Sequence, residues 1–326
     1  MLSWRDPMIG IKRWTWQYLA LLGAGLIIAG AIACAIALTV KLLPHDVRFL
    51  GMTAERLCSL HGCRIVHFMV HDRISFGGSI IATGSIYVWL AARPLARGEP
   101  WALVALLGSG AIGFASFLSY LGFGYLDVLH ERATLLLLVL FVLGISRSLS
   151  VVRKPISRRD ALPLAKPALQ GRAAVGWVLL LFTAAGLVLG GLTIMTLGMT
   201  TVFVPTDLEF MRVEVPELRA INERLVPLIA HDRAGFGGGL ASAGFAILMT
   251  VGRGVRPSER ELWWVLLVAG GVGFTSAIGA HPLVGYLDFW HLLPALVGAV
   301  TFTVGIALVA PAMLQPKKGD VVASQS

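Results

Sequence analysis

The residues able to do chemistry in this chain fall into strings that occur twice. His71-Asp72-Arg73-Ile74-Ser75-Phe76-Gly77-Gly78 recurs as His231-Asp232-Arg233-Ala234-Gly235-Phe236-Gly237-Gly238, an offset of 160. Gly124-Tyr125-Leu126-Asp127 with His130 recurs as Gly285-Tyr286-Leu287-Asp288 with His291, an offset of 161. Upstream, Pro44, Asp46 and Phe49 match Pro205, Asp207 and Phe210, and Arg64 matches Arg224. Six of the nine Asp and four of the eight His therefore sit at matched positions, which points to one polar constellation built twice.

Imidazole with carboxylate is a donor set for Zn²⁺, Fe²⁺ or Mn²⁺. Asp127 and His130 are spaced i, i+3, as are Asp288 and His291, so each pair shares one helix face. The expected metal ligands are His71, Asp127 and His130 in one copy and His231, Asp288 and His291 in the other. Asp46 and Asp207 are expected to orient them from behind. Asp72, Arg73, Asp232 and Arg233 are the expected catalytic groups: an unligated Asp as base, and a guanidinium to neutralise anionic charge.

Two other readings use the same residues. His71 with His130, and His231 with His291, would serve as paired axial ligands of a b-type haem, with nearby Gly admitting the macrocycle. Duplicated bundles also alternate access in transporters, although charge near the middle of the spans is almost absent here. The plainest alternative is structural. Asp72 and Asp232 would cap apolar helices, Arg73 and Arg233 would snorkel to lipid phosphates, and the Phe-Gly-Gly strings would allow close packing. Capping explains one Asp per helix start, but not two His and an Arg at the same depth in both copies.

The elements that position these groups are apolar helices. The 326 residues are 56% hydrophobic and 14% charged, with mean hydropathy +0.79, which excludes an ordinary soluble domain and a disordered chain. Spans of about 20 apolar residues fall near 18–40, 74–92, 101–121, 129–146, 174–198, 234–251, 262–280 and 289–311. The expected fold is all-α: a polytopic membrane protein of eight transmembrane helices, arranged as two tandem four-helix repeats of the same orientation. Its expected parts are a first repeat over 1–148, a basic Pro-containing linker over 149–173, a second repeat over 174–311 and a tail over 312–326.

Charge sets the direction. The loops at one end hold 17 Lys and Arg against 6 Asp and Glu, and the rest of the chain holds 10 against 12. The basic end, with both termini, is expected in the cytoplasm of a plasma (inner) membrane protein. The net charge of +9 is thus a topology signal and not a nucleic-acid footprint. The matched His, Asp and Arg then lie at the extracytoplasmic end. The expected partners are the lipid bilayer and a lipid-soluble or interfacial small molecule, with a membrane protein partner or homo-oligomer also possible. Cys58 and Cys63 are a candidate disulfide in the first outer loop. His281 has no matched partner and reads as a loop residue, though it lies close enough to Asp288 to join that cluster. The expected function is a metal-binding membrane enzyme or redox protein.

Overall fold

A computed structural model describes residues 16–118, 120–125, 128–150, 152, 155–162 and 169–316. Helix makes up 83% of the described residues, and no strand occurs among them. The eight long helices are α1 (Gln17–Thr39), α2 (Arg64–Leu90), α3 (Pro100–Leu118), α4 (Val128–Leu149), α5 (Gly171–Met199), α6 (Leu225–Gly254), α7 (Arg260–Val284) and α8 (Phe289–Met313). Each is long and apolar enough to cross a membrane.

Burial is unequal among them. α2 and α6 form the centre and are buried along most of their length, whereas large apolar side chains of the outer helices face outward. Ile28, Leu136, Leu189 and Val300 are more than half exposed, the reverse of a water-soluble bundle. α2 packs on α1, α6 and α7, and α6 packs on α5, α2 and α3. Glycine permits the closest of these contacts. A Cβ on Gly237 of α6 would collide with the Met195 backbone of α5, and one on Gly77 of α2 would meet Cys34 of α1 at 2.5 Å. The next glycines face the other way: Gly78 meets Ser276 of α7, and Gly238 meets Ser116 of α3.

Polar side chains tie the inner helices together as well. Tyr87 of α2 donates to Ser109 of α3 at 2.9 Å, and Ser109 shares hydrogen bonds with Ser242 of α6. Toward the other end of the bundle an aromatic cluster that includes Phe68, Phe203, Phe210 and Tyr286 closes the core. Two short helices, Pro44–Leu50 and Pro205–Met211, lie across this end. Arg64 of α2 donates to the Phe210 carbonyl at 2.9 Å, and the matched Arg224 donates to the Phe49 carbonyl at 2.6 Å. Cys58 and Cys63 are paired in a disulfide, beside the turn His61–Cys63.

The central helices begin at Arg64 and Leu225, well before the expected 74 and 234. The His-Asp-Arg strings were expected to open these helices; they lie inside them instead. His71 is seven residues into α2, about 10 Å along its axis. Polar residues there do not end the helix, because each finds a partner within the bundle.

Candidate functional site

Two arginines at the heart of this end are each held by two carboxylates. Arg73 of α2 donates from Nη1 to Asp46 at 2.6 Å and from Nε to Asp232 of α6 at 2.8 Å. Arg233 of α6 donates to Asp207, and its Nε lies 3.7 Å from Asp72 of α2. Each arginine therefore joins a carboxylate from its own side to one from the opposite central helix. Asp46 and Asp207 are buried in the first turns of the short helices, where they also accept the backbone N–H of Leu43 and Val204 at 2.8 Å.

The corners before those helices complete the cradle. Lys41 and Val202 have φ of 65° and 66°, a region that a β-branched residue rarely adopts. Their carbonyls accept from Arg73 at 3.2 Å and from Arg233 at 2.9 Å. On the far side, Tyr125 donates to Asp46 at 2.5 Å and Tyr286 donates to Asp207 at 2.9 Å. Burial pushes the Asp46 carboxyl up, but the Arg73 guanidinium and the donors from Tyr125 and Leu43 outweigh it and hold Asp46 below the usual carboxylate range. Burial, then the neighbouring Asp46 and Asp207 carboxylates, raise the Tyr125 and Tyr286 hydroxyls far above their ordinary value. Both phenols are thus committed donors.

Beside the Arg233 half stands a cluster of three histidines. His71 of α2, His281 of α7 and His291 of α8 each bring one ring nitrogen within 4.8 Å of the others. His71 and His281 approach Nε2 to Nε2 at 3.2 Å. The other nitrogens fix the tautomers. His71 Nδ1 is 3.0 Å from Asp72 Oδ1, and His281 Nδ1 is 2.8 Å from the Ala277 carbonyl. Both partners only accept, so both Nδ1 atoms carry the proton. His291 Nδ1 lies 3.2 Å from the Tyr286 hydroxyl, which donates to Asp207 at 2.9 Å. With Nδ1 engaged on His71 and His281, their Nε2 atoms face each other at a distance that a shared proton or a bound cation would satisfy.

The sequence-derived candidates fall into three groups. His71 and His291 meet, although they come from opposite matched strings. His231 lies apart from the trio, its ring 4.6 Å from that of Tyr125. Asp127 lies outside the described residues, and of His130 no side-chain geometry is described. Asp72, Arg73, Asp232 and Arg233 form the ion-pair network, so Arg73 and Arg233 do not snorkel and Asp72 does not cap a helix. Asp288 differs from its expected role as ligand. Its side chain accepts the His291 backbone N–H at 2.7 Å and caps α8. An i, i+3 spacing at a helix start serves the cap as well as a shared face, and here the cap prevails.

His281, expected in a loop, is buried in the last turn of α7. The offset changes from 160 to 161 between Ser276 and Gly285, so this stretch has no fixed counterpart in the first half. Its available signal was a lone imidazole on an apolar helix next to Pro282. No protein-family model, curated protein or solved structure matches the chain.

Proposed function

We propose that this is a multi-pass membrane protein of two same-orientation four-helix units, and that it is a metal-dependent enzyme. His71, His281 and His291 would hold one divalent transition metal, Zn²⁺, Fe²⁺ or Mn²⁺, near the extracytoplasmic edge of an inner membrane. The substrate would be lipid-soluble or interfacial. The observation that carries this reading is the convergence of one ring nitrogen each from His71, His281 and His291 within 4.8 Å of one another.

The surroundings suit such a set. A metal-bound histidine usually donates its other N–H to a carboxylate or carbonyl, which fixes the ring and raises its basicity. Asp72 and the Ala277 carbonyl stand ready to accept from His71 and His281, and the Tyr286 hydroxyl lies 3.2 Å from His291 Nδ1. Three protein ligands leave a tetrahedral position for water or substrate, as catalytic sites require. Bound there, the metal would act as a Lewis acid or lower the pKa of a bound water. Asp72 is occupied as the orienter of His71, so its part is positioning. Arg233, already beside Asp207 and Asp72, would balance their charge behind the trio.

The haem reading is weaker. That reading pairs His71 with His130 and His231 with His291, whereas His291 gathers with His71 and His281, and His231 stands against Tyr125. Transport has less behind it, since charge near the middle of the spans is almost absent.

Elemental analysis of protein purified after growth with added Zn, Fe or Mn tests the proposal. About one metal ion per chain is expected, lost in His281→Ala and His71→Ala and kept in His61→Ala, whose imidazole pairs instead with Glu217 at 3.2 Å. Folded protein with no stoichiometric Zn, Fe, Mn or Cu would overturn it.

A further inference from the structure

The Arg73 half of the network borders a cavity of about 380 Å³, within the size range of ligand pockets, about 300–1,000 Å³. Its walls are apolar side chains of α1, α2, α3 and α4, including Ile36, Phe76, Phe114 and Leu137. One end is polar, formed by Asp46, Arg73, Tyr125, His231 and Asp232.

The cavity reaches the molecular surface between α1 and α4. Ile32 of α1 and Ala133 of α4 both line it and are exposed. The two helices touch where Gly144 packs on Leu19 and Gly25 on Leu137. The corresponding helices of the second half are held more tightly. Gly305 packs on Leu180 and Gly176, and Thr183 bonds Thr301 at 2.8 Å. Leu22 and Leu140 occupy the positions that match those threonines, so this bond is missing between α1 and α4.

We infer that this cavity takes a single-chain amphiphile from the bilayer, entering between α1 and α4 with its head at the Asp46–Arg73–Asp232 end. The chemistry of that end selects the head. Arg73 is already engaged by two carboxylates, so an anionic head would find no uncommitted guanidinium there. Carboxylate oxygens favour a head that donates hydrogen bonds, a hydroxyl or an ammonium. A carboxylate or phosphate head has no such donor to meet and is disfavoured there. This inference rests on the membrane part of the proposed function and not on its metal part.

The test uses the full chain in phosphatidylcholine nanodiscs and a diazirine-bearing long-chain alcohol as photoprobe. Labelling is expected on α1 and α3 peptides that line the cavity, competed by hexadecanol and hexadecylamine at least about tenfold better than by hexadecanoate. Ala33→Phe with Ala133→Phe fills the mouth from two sides and should reduce labelling by about the same factor, with metal content unchanged. Labels spread evenly over lipid-facing helices, or equal competition by hexadecanoate, would overturn the inference. Because metal content is read separately, loss of the metal proposal and loss of this one give different results.

Discussion

Arg73 of α2 donates from Nε to Asp232 of α6 at 2.8 Å, so the two central helices are joined by a buried ion pair at matched strings of the sequence. The same guanidinium holds Asp46 at 2.6 Å, which fixes the short helix Pro44–Leu50 over the bundle end. Removing it strands two carboxylates. Breaking one partner of a buried pair costs about 3–5 kcal/mol, so Arg73→Ala should lower the thermal unfolding midpoint in detergent by many degrees. Arg73→Lys should recover only part of this, because an ammonium lacks the planar fork that reaches both acids. A midpoint within a degree or two of wild type for Arg73→Ala would contradict the network.

Acid should reveal the same contact. Asp46 is held below the usual carboxylate range, so it binds protons less readily folded than unfolded. Its contribution is therefore present above about pH 4 and fades as pH falls through the lower folded value. Wild type should exceed Asp46→Asn in stability near neutrality, with the gap closing toward pH 3. A gap that is constant or grows on acidification would reverse the sign.

Asp288 separates a cap from a ligand. Its carboxylate accepts the His291 N–H at 2.7 Å. Asp288→Ser should therefore leave both stability and metal content nearly unchanged, whereas Asp288→Ala should cost about 1 kcal/mol. Metal loss in Asp288→Ser would restore the carboxylate to the coordination set.

Packing glycines differ from surface ones. A Cβ at Gly237 runs into the Met195 backbone, while one at Gly271 of α7 has no atom within 4 Å. Gly237→Ala should destabilise by about 1–3 kcal/mol or more through overpacking. Gly271→Ala should be neutral or slightly stabilising, since alanine favours helix over glycine. Equal unfolding midpoints for the two variants would contradict the close approach of α5 and α6.

Much of this was readable from residue order. Eight apolar runs gave the eight long helices, and the offset of 160 selected Asp72, Arg73, Asp232 and Arg233, which do converge. Pairing across the two halves was not readable. A repeat states which residues correspond, but not that Arg73 reaches Asp232 instead of its neighbour Asp72. Helix starts were misplaced for a related reason: hydropathy ends a span at the first charges, whereas α2 and α6 continue through charges that are paired internally. His281 reads only as a neighbour of the Asp288 cluster, and not as a ligand, because it breaks the repeat. A feature present in one half only is invisible to a comparison of halves, and it is this asymmetric residue that turns His71 and His291 into a trio.

The most direct test of the account is X-ray absorption at the zinc edge of the zinc-loaded protein. Three imidazole nitrogens at about 2.0–2.1 Å are predicted, with the ring-scattering signature falling by one imidazole in His281→Ala. A first shell of oxygen or sulfur alone, or a spectrum that His281→Ala leaves unchanged, would contradict a metal centre built on His71, His281 and His291.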